Sequence, residues 1–517
     1  MLFNSYIFLF SFLPITLFIF FHIGSQGHHR VAISWLVGTS LFFYGWWNPA
    51  YLGLMLGSIL FNYVFGTILS NLQTSYPIKS KTFLYIGISI NLVLLGYYKY
   101  TNFFIENFNA LTGSLIQIET ILLPLAISFF TFQQIAYLVD AHQGKTREYN
   151  FLHYCLFVTF FPQLIAGPIV HHKEMLSQFS KNSIYHFCHT NFSVGLTILF
   201  IGLFKKVVIA DGISIYVSPV FDAAATGHPI SFTDGWAASL AYSFQLYFDF
   251  SGYSDMAIGI ARLFGILLPL NFNSPYKSVN IIDFWRRWHI TLSRFLRDYL
   301  YFPLGGNRYG ALRRYTNLFL VMIIGGMWHG AGWTFIIWGA LHGCYLIINH
   351  FWHFLQRYAD LDTNIHNSWT RGVSILITFT AVIVSWVFFR ATDFTSAITI
   401  LKGMIGLNGY QLSPFYLEKL NLLVKDSLLH LFYWELTPAQ LLITTLGPIF
   451  FIIWGAPNTQ QIMSDYKPTL DDDTNSIADQ FLIKWKPSAF WACITAIIGL
   501  LAILGLGGVT EFLYFQF

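Results

Sequence analysis

The chain has 517 residues, 55% of them hydrophobic and 19% aromatic, with a mean hydropathy of +0.55. Only 10% are charged, 28 Lys and Arg against 24 Asp and Glu, for a formal net charge of +4, whereas a soluble domain carries roughly 25%. This composition excludes a soluble globular enzyme, a disordered chain and a nucleic-acid binder with a broad basic face, and four scattered cysteines exclude a disulfide scaffold. The apolar runs are continuous rather than alternating, so the expected fold is all-α, a polytopic integral membrane protein and not a barrel.

A spanning helix needs about 20 mostly apolar residues. Such runs fall near 3–22, 31–48, 51–70, 82–98, 117–139, 151–170, 192–210, 234–265, 316–327 joined to 333–349, 371–389, 440–455 and 489–506. They predict about eleven to thirteen membrane-embedded segments. The first run lacks a basic n-region and an A-x-A-like site, so it is expected to stay as a span. Leu123-Pro124-Leu125, Gly167-Pro168 and Gly325-Gly326 are expected to break helices at membrane depth. Irregular backbone there is tolerated only when buried in protein or lining a wet cavity. The middle of the chain is therefore expected to surround a cavity, with the flanking helices as a simpler wall.

Basic residues collect at segment ends, at Arg30, Lys79, Lys81, Lys145, Arg147, Lys205 and Lys206. A denser group, Arg286, Arg287, Arg294, Arg297, Arg308 and Arg313, lies between Lys277 and Arg314. The positive-inside rule places this stretch toward the cytoplasm. The small net charge is accounted for by anionic headgroups of the lipid bilayer. Asp471-Asp472-Asp473 lies in a polar loop between the last two runs. No repeat, low-complexity tract or dividing linker interrupts the chain, so a single domain over residues 1–517 is expected, with its chemical core at about 117–350.

The chemistry-bearing residues concentrate between Phe244 and His350. Placed on one helix, Asp283 to Tyr299 resolves into three stripes. Trp285, Trp288, Leu292, Phe295 and Tyr299 form an apolar one. Arg287, Thr291, Arg294 and Asp298 form a polar one, and Arg286, His289, Ser293 and Arg297 a third. Such a helix lies at the membrane surface. Either its arginines reach lipid phosphates and His289 is a bystander, or Arg286 and Arg297 flank His289 at the mouth of a cavity and meet an anionic substrate. His329 sits in an apolar run among Gly325, Gly326, Gly330 and Gly332. A histidine there is a site candidate by default, because burying it is costly, and a neutral imidazole in a low-dielectric pocket can act as a base. A core histidine bonded to a neighbouring helix is the plainer alternative. His342, Asn349 and His350 read as structural or interfacial. Asp249 and Asp255 do not share a helical face unless the helix breaks near Gly252, and the arginines of 283–298 are their expected partners. They either form buried ion pairs or orient a histidine.

His171, His172, His186 and His189 match no tight tetrahedral ligand pattern and read as surface residues, so no metal is expected. Cys155, Cys344 and Cys493 read as small core residues. P-loop, dinucleotide and G-x-S-x-G patterns are absent from the sequence.

Several strings occur in a characteristic order: Gly96-Tyr97-Tyr98-Lys99-Tyr100, Leu123 to Phe132, Phe160 to Ile169, Gly202-Leu203-Phe204-Lys205-Lys206, Tyr247 to Met256, Phe284 to Gly306, Met327-Trp328-His329-Gly330 and the end Glu511 to Phe517. Together they resemble the membrane-bound O-acyltransferase family, in its bacterial alginate O-acetyltransferase branch, over nearly the whole chain. Ala126 and His171 depart from that branch, where Gly and Arg are expected. The resemblance implies a ring of helices around a thinned centre with a tunnel joining the two sides, in the bacterial cytoplasmic membrane. It makes His329 the catalytic histidine and His289 the second functional position. It implies acetyl-CoA as a donor substrate rather than a bound cofactor. The acceptor would be a hydroxyl of an exported polysaccharide such as alginate, reached through a periplasmic SGNH-like partner.

On that basis His329 takes the acceptor proton as its oxygen attacks the thioester. His289, or a nearby hydroxyl or backbone N–H, supports the oxyanion or holds the acceptor. Arg286, Arg287 and Arg294 meet the CoA phosphates. Peptidoglycan, another surface glycan, or D-alanyl transfer to teichoic acid by a sister branch are alternative acceptor chemistries. The Phe-Pro-Gln-Leu-Ile-Ala-Gly-Pro string favours the alginate-like branch over the teichoic one. A non-catalytic transporter or flippase is the alternative of a different class.

Overall fold

An amide in hydrocarbon has no water to bond, so long apolar runs close their hydrogen bonds internally as helices. The structure, a computed structural model, describes residues 1–146, 150–359, 367–412, 418, 438–470 and 483–508; among these it contains helices and no strand. Arg147, the Asp471-Asp472-Asp473 run and the C-terminal string from Glu511 lie outside the described residues.

Helix α1 (Leu13–Ser25) continues from a π-type turn at Phe8–Phe12 and packs on α2 (His29–Gly45). Ahead of it, Phe3 is fully buried and stacks on Tyr253 with centroids 4.8 Å apart. Helices α3 (Ala50–Ser75) and α4 (Pro77–Thr112) follow. Proline in its first turn starts α4, and Gly113 in the left-handed conformation (φ +71) ends it. Both pack on α5 (Ile127–His142). Buried polar side chains lock this trio. Asn62 and Asn91 exchange hydrogen bonds of 3.1 and 2.7 Å, and Ser58 donates to Gln134 at 3.4 Å. Such interhelical bonds contribute about 1 kcal/mol each within a membrane.

Helix α6 (Phe151–Thr159) is short; one turn at Phe161–Leu164 and extended chain through Gly167-Pro168 lead to α7 (His172–Phe179). Helix α8 (His189–Phe204) then runs against α9 (Phe232–Leu263). Paired glycines permit the close approach. A Cβ on Gly202 would lie 2.6 Å from the Gly252 carbonyl oxygen, and one on Gly259 2.6 Å from the Leu199 nitrogen. Helix α9 is buried along nearly its whole length. It contributes Tyr253 and Met256 to a core that includes Phe43, Leu138 and Phe161, and Tyr242 and Phe248 to a second core around Trp338 and Trp386.

After α9 come α10 (Ile281–Arg287) and α11 (Ile290–Leu296), then α12 (Gly310–His329) and α13 (Trp333–Tyr358), which double back on each other. Helices α14 (Ser368–Arg390), α15 (Phe394–Met404), α16 (Pro438–Gly455) and α17 (Ala489–Leu504) complete the described part. Among the described residues, seven helices are long and apolar enough to cross a membrane. The remaining predicted segments are short, interrupted or charged. Helix α2 has 17 residues, α6 has 9, α9 carries Asp249 and Asp255, and α12 carries Arg313 and Arg314.

Two expectations need correction. Gly325 and Gly326 do not break α12; both are helical, and the chain leaves the helix at Gly330. Gly326 instead faces α13, where a Cβ would lie 2.3 Å from the Phe335 carbonyl oxygen. Cys155 is buried, but Cys344 and Cys493 face outward from apolar helices rather than into the core. Lipid as solvent removes the penalty for exposing a thiol, which behaves as a small apolar group.

Ala126, at the N-cap of α5, adopts the left-handed conformation (φ +57). A Cβ in that region is strained and glycine is not. Ala126→Gly is expected to stabilise the folded protein by about 0.5 to 1 kcal/mol, read as a raised unfolding midpoint in detergent. A lowered midpoint would contradict the strain argument.

Candidate functional site

The segment from Asp283 to Tyr299 is not one helix, and the three stripes do not survive. Asn280 caps α10, its side chain accepting from the Asp283 amide at 2.9 Å. The helix stops after Arg287, and His289 takes a left-handed conformation (φ +44) before α11 begins. A π-type turn at Arg297–Tyr301 follows. The extended chain beside the break acts as its template. The Ile290 amide donates to the Asn271 carbonyl at 3.0 Å, and the Asn273 amide donates to the Arg287 carbonyl at 2.9 Å. Periodicity carried through His289 could not register this turn.

The break buries His289, which is 1% exposed. Its Nδ1 lies 3.1 Å from Asn271 Oδ1. The same oxygen accepts from the Thr291 amide at 3.3 Å and from the Thr291 hydroxyl at 3.0 Å, while Asn271 Nδ2 donates to Ser254 at 3.3 Å. Asn271 Oδ1 is therefore an acceptor and His289 Nδ1 carries the proton, which leaves the lone pair of the neutral ring on Nε2. The left-handed backbone costs about 1 kcal/mol or more and is held by this surround, a pattern that clusters at functional sites.

His329 is the last residue of α12. Its ring contacts Trp328, Trp338 and Phe389, with centroids 4.8, 5.1 and 5.2 Å away. The Trp328 ring also lies 6.3 Å from that of His289. One indole thus touches both histidines, and the sequence candidates from two separate motifs meet in one aromatic cluster. Of the glycines around His329, Gly326 serves the α12–α13 packing, together with Gly339 of α13, where a Cβ would lie 2.3 Å from the Met322 carbonyl oxygen, whereas Gly325 faces Leu296 of α11. Beyond His329, the Gly330–Gly332 turn borders a cavity of about 650 Å³ lined by Phe103, Glu106, Trp333, Thr392 and Asp393 among others. His342 is fully buried and bonds Ser385 Oγ at 2.9 Å, a structural placement.

The arginines differ in availability. Arg287 pairs with Asp283 at 2.8 Å, and Arg294 with Glu174 at 3.0 Å. Arg297 is exposed and pairs with the adjacent Asp298 at 2.7 Å, so it does not flank His289. Arg286 is exposed and forms no ion pair among the described residues.

The partners expected for Asp249 and Asp255 were these arginines; the structure pairs them with lysines instead. Asp249 meets Lys206 at 2.7 Å, and Lys206 also meets Asp211 at 2.6 Å. Asp255 meets Lys205 at 2.6 Å and accepts from Thr459 and Gln460 at 2.6 and 3.0 Å. The physical reason lies in α8, which passes into a π-type turn at Lys205–Ala210 just beyond the Gly202–Gly252 contact. Both ammonium groups are thereby set against α9, which runs unbroken past Gly252.

His171 and His172 are not surface residues. His171 forms a capping box with Glu174 and meets Tyr299 at 3.0 Å, while His172 is 5% exposed and bonds Thr146 at 2.6 Å. His186 and His189 are exposed as expected. Among the described residues, no cluster of three or more His, Cys, Asp or Glu could hold a metal. Sequence reasoning missed Asn271 and gave Lys99 no role, because each acts on a residue distant in the chain.

The fold and site define an all-α multi-pass membrane protein with a buried His289 and a half-buried His329 joined by one aromatic cluster. Residues 141–388 match the model of MBOAT, the membrane-bound O-acyltransferase family. A peptidoglycan O-acetyltransferase of Helicobacter pylori is 49% identical over 438 residues, 80% of this chain and 81% of the relative. A probable alginate O-acetylase of Pseudomonas putida is 40% identical over 80% of this chain and 82% of its own. A teichoic acid D-alanyltransferase of Bacillus subtilis is 31% identical over 52% of this chain and 69% of its own. The chain belongs to the membrane-bound O-acyltransferase family, and it is an acyltransferase.

Lys206 is 1% exposed between two carboxylates. Removing one partner of a buried pair costs about 3 to 5 kcal/mol, because the remaining charge stays buried. Lys206→Met is expected to destabilise the detergent-solubilised protein by that amount. Lys206→Met with the wild-type melting temperature would show that the network does not hold α8 to α9.

Proposed function

We propose that this protein is a polysaccharide O-acetyltransferase of the cytoplasmic membrane. In this reading it takes acetyl from cytoplasmic acetyl-CoA and passes it toward hydroxyls of an exported polysaccharide, through a periplasmic SGNH-like partner. The observation that carries it is the approach of His289 and His329 to the one ring of Trp328, with the turn after His329 bordering a cavity. The names of the relatives, alginate O-acetylase and peptidoglycan O-acetyltransferase, support a glycan acceptor. Alginate-like polymers remain the first candidate from the sequence strings, and peptidoglycan is supported by the 49% identical relative. The whole chain acts as one domain, with the chemistry within residues 117–350.

His329 is the general base. The acceptor oxygen attacks the thioester carbonyl carbon while its proton passes to the imidazole. The tetrahedral intermediate then breaks its carbon–sulfur bond, and the imidazolium returns the proton to the departing CoA thiolate. His289 holds the acceptor or supports the oxyanion from a rigid position set by Asn271. Aromatic walls exclude bulk water and so limit thioester hydrolysis. Arg286, together with Arg287 and Arg294, meets the CoA phosphates. Arg286 contributes most, because Arg287 and Arg294 already hold carboxylates.

His329→Ala is expected to abolish acetyl transfer from labelled acetyl-CoA in proteoliposomes, with the variant still accumulating in the membrane. Covalent transfer surviving in it would sink the general-base role, and movement of label without transfer would favour a carrier. Arg286→Ala is expected to raise KM for acetyl-CoA about tenfold with kcat unchanged, the signature of lost uniform binding. An unchanged KM would remove Arg286 from the donor site.

A further inference from the structure

An α-helix leaves its last four carbonyls without amide partners. In α12 those four belong to Gly326, Met327, Trp328 and His329. The Gly326 carbonyl accepts from the Gly330 amide at 3.4 Å. The Met327 carbonyl accepts from the Tyr100 hydroxyl at 2.6 Å. The Trp328 and His329 carbonyls both accept from the Lys99 ammonium, the latter at 3.1 Å. One dipeptide of α4, some 229 residues away in sequence, thus closes the rest of the helix end. The same face of α4 continues along the turn into α13. Phe103 packs on Trp333 with centroids 5.9 Å apart, and Asn107 accepts from the Trp333 indole at 2.8 Å. Positions 99, 103 and 107 are spaced as one helical stripe.

Lys99 is 9% exposed and forms no ion pair with a carboxylate among the described residues. A buried ammonium without a counter-ion is costly in a membrane. What compensates it is the negative end of the α12 dipole and the two carbonyls it binds. Those carbonyls belong to the peptide units on either side of the His329 Cα. Pinning both fixes the backbone from which the imidazole projects. This stretch of α4 also lies outside residues 141–388, which match the family model.

We propose that Lys99 is a positioning residue for acyl transfer, holding His329 in place through the carbonyls of Trp328 and His329, with Tyr100 assisting at Met327. The proposal rests on His329 being the base, as proposed above. Misplacement of a reacting group by about 1 Å can cost about 100-fold in rate.

The test uses the full-length protein in proteoliposomes with labelled acetyl-CoA, comparing wild type, Lys99→Met, Lys99→Arg and Tyr100→Phe. Lys99→Met is expected to lower kcat about 100-fold and to leave KM for acetyl-CoA within about threefold. Lys99→Arg, which keeps the charge and can donate to both carbonyls, is expected to recover kcat to within about tenfold of wild type. Tyr100→Phe is expected to lower kcat about fivefold. Turnover of Lys99→Met within about threefold of wild type, or a loss confined to KM, would overturn the proposal. Should Lys99→Met fail to accumulate, Lys99→Gln replaces it under the same criteria. Transfer that survives His329→Ala in the same assay would overturn the general-base reading and this proposal with it. A wild-type kcat in the Lys99 variants of a His329-dependent enzyme would overturn this proposal alone.

Discussion

Hydrocarbon offers no hydrogen bond to a backbone group, and the two helix interruptions that carry the histidines exist only because side chains supply what water cannot. At His289 the chain turns left-handed, and the carboxamide oxygen of Asn271 accepts hydrogen bonds from the imidazole and from the amide and hydroxyl of Thr291. At His329 the helix simply stops, and its last carbonyls are closed from α4. At His289 the group that repairs the backbone also bonds the imidazole, and at His329 it holds the two peptide units from which the imidazole projects. Structural satisfaction and positioning of the ring are therefore one set of contacts.

Charge obeys the same rule with larger penalties. Three aspartates and two lysines are buried or nearly so along α9, and each ion is desolvated at a cost that only close geometry offsets. The network fixes the rotation of α9 about its own axis. With Asp249 and Asp255 turned toward the lysines, the neighbouring Phe250 and Ser254 are turned toward the site. Phe250 lies edge-on to His289 at 4.7 Å, and Ser254 accepts from Asn271 at 3.3 Å. The glycine pairs of α8 and α9 are the precondition, because only at that backbone separation can the lysines reach across.

What could be read from the sequence follows from the range of each interaction. His329 stood out because a polar ring in an apolar run is anomalous within its own neighbourhood, and His289 because it shares a stripe with Arg286 and Arg297 and matches the family's second functional position. The helical class and most helix positions followed from run length. The break at His289 did not, because its cause, Asn271, lies on another segment, and a period of 3.6 continues formally through the turn. The pairing of Asp249 and Asp255 with Lys206 and Lys205 was hidden for a related reason. Arginine density near residue 290 made those arginines the natural partners, but Arg287 is taken by Asp283 one turn away and Arg294 by Glu174, 120 residues away. Lys99 was visible as part of a string and carried no role, since its acceptors are backbone atoms of a helix end that sequence does not mark.

The position of His329 at a helix end has a chemical consequence. An imidazole on the middle of an intact helix projects from backbone that is already satisfied, and neighbouring helices cover it from the side. At the last residue of α12 the chain leaves the helix through Gly330 and Gly332, and space opens directly beyond it. The aromatic rings of Trp328, Trp338 and Phe389 enclose the imidazole on its other sides. A ring so placed is covered by aromatics and yet only half-buried, with the cavity beginning two residues further on at Ala331. Group transfer between a thioester and an alcohol requires both conditions at once, since water competes with the alcohol as nucleophile. On the proposed reading of His329 as the base, a helix terminus closed by Lys99 would meet them without leaving these carbonyls unpaired, which neither an unbroken helix nor an uncapped one could do.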